Sequence, residues 1–201
     1  MDLWQYEREA RESGFQAVCG CDEAGAGPLA GPVYAAAVVL PFGEEIPGLN
    51  DSKKLTEKKR ETLFPVVKEK ALAWSVAFVT AEEIDQTDIL SARMKAMQLA
   101  IDGLNLPADF ALIDGNRDKG KSSAITTCHR CVVKGDSLSA SIAAASILAK
   151  VSRDHYMLEL AKEYPQYRFD KHKGYGTKLH YELLRTYGLS PVHRRTFLKN
   201  L

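Results

Sequence analysis

Asp22 and Glu23 are adjacent carboxylates that run directly into a loop holding Gly25, Gly27 and Gly31 with Pro28 and Pro32. Adjacent acids repel, so either a metal ion or a basic side chain must compensate them in the folded chain. The glycines let a ligand approach the main chain closely. Two more acids follow short apolar runs: Asp114 after residues 110–113, and Asp136 soon after Val132 and Val133. Each also has an ordinary reading, Asp114 as a turn residue before Gly115 and Asn116, and Asp136 as a helix N-cap before Ser137. Taken together they point further. Strand ends in an α/β sheet converge on one crevice, and four carboxylates sharing it need divalent cations to stay ionised. Oxygen ligands suit Mg²⁺ or Mn²⁺, and two such ions ~3.5–4 Å apart can position an attacking water and stabilise the leaving oxygen of a phosphodiester.

The elements that must position these acids are legible from periodicity. Residues 3–13 read as a short amphipathic helix and residues 17–22 as a strand ending at the glycines. Residues 34–40 are nearly all apolar, as in a strand covered on both faces. After a loop at 49–55, Thr56 caps a helix through about Lys70, and a strand follows at 73–80. Residues 81–104 are helical in pattern with a break near Asp88. Strands at 110–113 and 125–133 come next, then the longest helix, 137 to about 163, with Leu138, Ile142, Ala145, Ala149, Tyr156 and Leu160 on one face. This order predicts one α/β domain over 1–201, a mixed sheet flanked by helices with a helical C-terminal extension.

The chain has 201 residues, is 45% hydrophobic and carries a net charge of +1. Its longest apolar run, residues 34–41, is far too short to span a bilayer, and the charged N-terminus is unlike a secretory signal, so a cytosolic protein is expected. Charge is unevenly spread: residues 168–201 hold eight Lys or Arg against two acids, leaving residues 1–167 at −5. A basic tail on an acidic body fits a polyanion held beside a cation-requiring site; charge alone fits a solvated helical face equally well. The cysteines of Cys19-Gly-Cys21 and Cys128-His-Arg-Cys131 raise a zinc reading. Residues two apart on a strand lie ~6.6 Å apart, wide for thiolates sharing one ion, so Cys19 and Cys21 read as small residues packing the sheet.

The stretch DEAGAGPLAGPV, with NDSKKL at 50–55, LIDGN at 112–116, KGDSLSASIAAASILAKVSRD at 134–154 and HKGYGT at 172–177, resembles bacterial ribonuclease HII, the type 2 ribonuclease H. The resemblance implies a ribonuclease H-like fold and a monomeric, metal-dependent endonuclease. Such an enzyme hydrolyses the RNA strand of RNA–DNA hybrids and cuts 5′ of ribonucleotides embedded in duplex DNA, leaving 3′-hydroxyl and 5′-phosphate ends. By the same resemblance Asp22, Glu23, Asp114 and Asp136 are the catalytic acids and ligands of two Mg²⁺ or Mn²⁺ ions. Main-chain groups of Gly25, Ala26 and Gly27 would sense the ribose 2′-hydroxyl. Tyr175 would stack on the next sugar, and Lys53 and Lys173 would contact the substrate. His193, Arg194 and Arg195 read as backbone-phosphate contacts or as a solvated cluster, and the basic segment 165–201 as substrate-contacting.

One position departs from the family pattern: its loop reads Gly-Arg-Gly, whereas Ala26 stands in the middle here. Losing a charge-assisted phosphate contact costs ~1.5–3 kcal/mol, so weaker or altered junction recognition is expected, with main-chain sensing retained. The rival from another class is a non-catalytic hybrid-binding module. Retention of all four acids argues against it.

Overall fold

The structure, a computed structural model, describes residues 2–115 and 124–199. Asn116, the last residue of the turn expected after Asp114, lies outside them. The elements run α1 (Gln5–Glu12), β1 (Val18–Ala24), β2 (Val33–Val39), α2 (Glu57–Lys70), β3 (Ala73–Val79), α3 (Ala81–Gln86), α4 (Ile89–Asp102), β4 (Phe110–Asp114), β5 (His129–Val132), α5 (Ala140–Glu163), α6 (Phe169–His172) and α7 (Lys178–Tyr187). The five strands form one sheet in the order β3-β2-β1-β4-β5. β1 and β3 run antiparallel to β2, while β1, β4 and β5 are parallel. The mixed, helix-flanked sheet expected from the sequence is therefore present.

Local chemistry explains the boundaries. Thr56 accepts a hydrogen bond from the Lys59 amide and starts α2, as expected. The expected break at Asp88 is real: its extended backbone caps α4, accepting from the amides of Leu90 and Ser91. Two expectations shift. β5 is confined to four residues, with Ile125 buried in the core ahead of it. The longest helix starts at Ala140, capped by Ser139, whose hydroxyl accepts from the Ile142 amide, so Asp136 is not its N-cap.

Strand alternation divides the core between two layers. Cys19 and Cys21 of β1 and Ala35 and Ala37 of β2 pack against Ile84, Met94, Met97 and Ile101 of α3 and α4. The opposite face, with Ala24, Ala36 and Val38, packs on α5 and α2. α5 is buried on all sides from Ala140 to Ala149, and Tyr156, expected on its buried stripe, is partly exposed. The approach of α5 to β1 requires a glycine: a Cβ on Gly20 would lie 2.1 Å from the Ser141 carbonyl carbon. Cys19 and Cys21 are free and fully buried, whereas Cys128 and Cys131 are exposed, so no four-thiolate zinc site forms. Among the described residues no helix is long and apolar enough to cross a membrane.

The C-terminal extension packs through Tyr167, Phe169, Leu184 and Leu198 onto Met157 and Leu160 of α5 and onto Leu29 and Ala30 of the glycine loop. Three buried histidines knit it together. His180 Nδ1 donates to the Tyr175 carbonyl at 3.0 Å, and His193 Nδ1 accepts from the Ser190 amide at 3.0 Å. Their Nε2 atoms lie 3.1 Å apart, so His193 donates to His180 and both rings are neutral. Burial pushes each imidazole down to about 4. Because these values lie below the unfolded value of ~6.5, the stability they contribute is complete above that pH and falls as pH drops toward 4. Imidazole NMR titration of the folded protein is expected to find both rings neutral at pH 5.5.

Candidate active site

Adjacent residues on a strand point to opposite faces, and this separates the opening pair of acids. Asp22 shares the α5 face with Gly20 and Ala24; Glu23 shares the α4 face with Cys19 and Cys21. Cys21 pairs in parallel register with Ile113, so Asp22 and Asp114 follow side by side at the carboxyl ends of β1 and β4, on one face. Asp136 arrives from the 3₁₀ turn Gly135–Ser137 that leads into α5, and its amide donates to Asp114 Oδ1 at 3.3 Å. Gly135 permits that approach, since a Cβ there would lie 2.5 Å from Ile142 Cδ1 and 3.2 Å from Asp114 Oδ1.

One carboxylate oxygen from each of Asp22, Asp114 and Asp136 lies within 4.8 Å of the others. Glu23 does not join this group. Its Oε1 receives Arg93 Nη2 of α4 at 2.7 Å, so of the two compensations open to the acid pair, Glu23 has a basic side chain. Asp22 is only 2% exposed. Burial first, then the charges of Glu23 and Asp114, raise its carboxyl well above the usual range, with Lys53 opposing. Asp136 is pushed up to about 6 by burial, Asp114 and Asp51. Asp51, a fifth carboxylate not expected at the site, also accepts from the Lys53 amide at 2.8 Å. Lys53 Nζ lies 3.9 Å from Asp136 Oδ2 on an exposed side chain.

A divalent cation fits these residues. The donors are all carboxylate oxygens, their mutual repulsion is relieved only in part by Lys53 and Arg93, and Glu23 Oε2 is buried with no hydrogen-bond partner. Hard ions with oxygen ligands satisfy each of these conditions.

The glycine loop is held in place by two buried arginines. Gly25 has φ +95°, and a Cβ there would meet Arg153 Nε at 2.0 Å. Gly25 is thus required by a buried side chain of the protein itself, while a Cβ on exposed Gly27 would meet nothing within 4 Å. Arg153 donates to the carbonyls of Pro32, Lys173 and Ala30 at 3.0, 3.0 and 3.2 Å. Arg194 donates to those of Gly31, Ala26 and Gly25 at 2.9, 3.0 and 2.7 Å. Arg194 is wholly buried, as is His193, so neither a phosphate contact nor a solvated cluster describes them; only Arg195 of the three is exposed. Among the described residues, no hydrogen bond engages the amides of Gly25, Ala26 and Gly27. The carbonyls of Gly25 and Ala26, by contrast, are both held by Arg194.

Tyr175 is 41% exposed, and its ring lies 5.7 Å from both the Arg153 guanidinium carbon and Lys150 Nζ. Lys173 is half-buried with φ +50°, its ammonium donating to the Asp170 carbonyl at 2.8 Å. His172, flanking it, is buried and bonded to the Tyr167 carbonyl, so it faces inward.

Acids gathered at the carboxyl ends of parallel strands in a mixed ribonuclease H-like sheet, beside a glycine loop pinned by two buried arginines, define a metal-dependent nuclease. The ribonuclease HII family model matches residues 19–200. Ribonuclease HII of Endomicrobium trichonymphae is 53% identical over 98% of this chain and 92% of its own length. That of Dechloromonas aromatica is 56% identical over 90% of each. Among solved structures, ribonuclease H2 of Pyrococcus horikoshii superposes with a TM-score of 0.74 at 27% identity, covering 90% of this chain and 93% of that one. The chain belongs to the ribonuclease HII family, and it is an endonuclease of the ribonuclease H class.

Proposed function

We propose that the protein hydrolyses the RNA strand of RNA–DNA hybrids and cuts 5′ of single ribonucleotides embedded in duplex DNA, with Asp22, Glu23, Asp114 and Asp136 as its catalytic acids. The observation that carries this reading is the convergence of Asp22, Asp114 and Asp136 at one point. These three would hold divalent ions, Mg²⁺ or Mn²⁺, with Glu23 Oε2 reaching the same centre. Two bound ions would supply the charge that stabilises the attacking and leaving oxygens, giving 3′-hydroxyl and 5′-phosphate ends.

The remaining work belongs to the chain. The amides of Gly25, Ala26 and Gly27 donate to the ribose 2′-hydroxyl, a contact only RNA offers. Exposed Tyr175 packs on the sugar that follows, and Lys53, beside Asp136, faces the backbone phosphate. Lys173 serves the same surface chiefly by fixing the turn that presents Tyr175, since its own carbonyl is held by Arg153. The basic segment 165–201 reaches the substrate through such exposed groups, while its buried residues hold the loop.

The test is a labelled duplex with one ribonucleotide and an all-RNA/DNA hybrid, incubated with Mg²⁺, Mn²⁺ or EDTA. Cutting 5′ of the ribonucleotide, lost in EDTA, is the expected result; binding of both substrates without cutting would favour the hybrid-binding module. Ala26→Arg is expected to improve the embedded-ribonucleotide reaction ~10-fold or more by restoring a charge-assisted phosphate contact. Equal rates for the wild type and the Ala26→Arg variant on both substrates would remove any role for this position.

A further inference from the structure

Arg93 was not singled out by any motif, yet it is the residue of α4 that touches a proposed catalytic acid. Strand alternation turns Glu23 away from Asp22 and toward α4, where Arg93 Nη2 meets Oε1 at 2.7 Å and both side chains are largely buried. Two further polar atoms of the pair, Glu23 Oε2 and Arg93 Nε, are buried and have no hydrogen-bond partner. Arg93 Nη2 is also near Gly115, the residue after Asp114: a Cβ at Gly115 would stand 3.9 Å from it. One guanidinium therefore pairs with Glu23 of β1 and lies close to the residue that follows β4. An arginine stays charged at any pH the protein experiences, so its effect on a neighbouring cation is permanent.

Resting on the divalent-ion reading above, we propose that Arg93 is a positioning residue that limits cation affinity. By taking Oε1 it leaves Oε2 as the single Glu23 atom open to an ion, and it cancels one of the negative charges that ion would otherwise feel. The consequence is a trade. Glu23 is held in one rotamer for catalysis, and the ions are bound more weakly than four free carboxylates would bind them. Weaker binding lets the site exchange its ions as substrate enters and product leaves. A purely structural ion pair would make no such trade, because its removal would change stability and leave ion binding alone.

The experiment is calorimetric titration of Mn²⁺ into wild-type, Arg93→Gln and Arg93→Lys proteins, with thermal melts and single-turnover cleavage alongside. Removing a unit charge this close to a dication is expected to tighten Mn²⁺ binding ~10-fold or more in Arg93→Gln. Cleavage at saturating Mn²⁺ is expected to fall in the same variant, because Glu23 is no longer held. Arg93→Lys keeps the charge and is expected to retain wild-type affinity, which makes the proposal testable even where the glutamine variant folds poorly. Unchanged or weakened binding in a folded Arg93→Gln protein would overturn the proposal while leaving the metal reading intact, as would equal tightening in Arg93→Lys. No Mn²⁺ binding by the wild type would overturn both.

Discussion

Asp22→Asn is expected to abolish metal-dependent cleavage while making the metal-free protein harder to unfold. The two effects have one cause. Asp22 is almost wholly buried, and its carboxyl is raised well above the usual range by burial, then by the charges of Glu23 and Asp114. The native protein without metal binds a proton there more tightly than the unfolded chain does. That contribution to stability is complete below the unfolded value of ~3.9 and is lost as pH rises through the raised native value. At pH 7.5 the wild type must therefore either hold an unfavourable buried anion or keep a proton at a cost. Asparagine removes that cost and retains an oxygen for the Glu23 amide, which Asp22 Oδ1 accepts at 2.7 Å. Urea unfolding in EDTA at pH 7.5 is expected to show a gain on the order of 1 kcal/mol. Added Mg²⁺ is expected to stabilise the wild type and much less the variant. Cleavage should fall by ~10³-fold or more, the scale on which loss of a preorganised electrostatic group acts. A variant that cuts at wild-type rate would remove Asp22 from the catalytic set. One that loses activity without gaining metal-free stability would contradict the account of repulsion at the site.

The sequence made the strand ends legible because short apolar runs, each stopping at an acid, have few structural alternatives. Parallel pairing of β1 and β4 then brings Asp22 and Asp114 together without any information beyond register. The same alternation that reveals a strand also dictates that two adjacent acids cannot share one face, and this could have separated Glu23 from Asp22 in advance. Its partner could not have been found that way. Arg93 lies in an α4 segment of ordinary amphipathic pattern, and only the packing of α4 across β1 shows which face it meets. Asp51 escaped for a similar reason, since a short polar loop gives no periodicity to say where it points.

The basic C-terminus was legible in charge and misleading in detail. Arg194 and His193 look like surface residues in a run with Arg195, but Arg194 satisfies three loop carbonyls and His193 a buried imidazole. Composition counts charges without saying which of them are spent inside. Likewise Asp136 and Ser139 are both good helix caps by type. The left-handed Lys134 and the 3₁₀ turn after it decide between them, releasing Asp136 to the site.

The loop glycines, alike in sequence, are expected to fail in opposite ways when a methyl group is added. Gly25→Ala forces an L side chain into φ +95° and drives its Cβ to 2.0 Å from Arg153 Nε and 2.4 Å from Cδ. The guanidinium has nowhere to retreat without abandoning the carbonyls of Pro32, Lys173 and Ala30, which would remain buried. Backbone strain plus lost hydrogen bonds puts the cost at ~3–5 kcal/mol. Because Arg153 also holds the Lys173 turn and lies under the Tyr175 ring, the damage spreads from the glycine loop to the second reading element. Urea unfolding should show the destabilisation, and cleavage of both substrates should fail. Gly27→Ala meets no atom and no positive φ, so the unfolding midpoint should stay near that of the wild type. Its methyl group, however, is added at an exposed position next to an amide proposed to read the ribose. A displacement of about 1 Å there should slow cleavage ~10- to 100-fold, with most of the loss in KM. A stable Gly27→Ala protein that cuts as fast as the wild type would place ribose recognition elsewhere, and the buried arginines would then be supporting the fold alone.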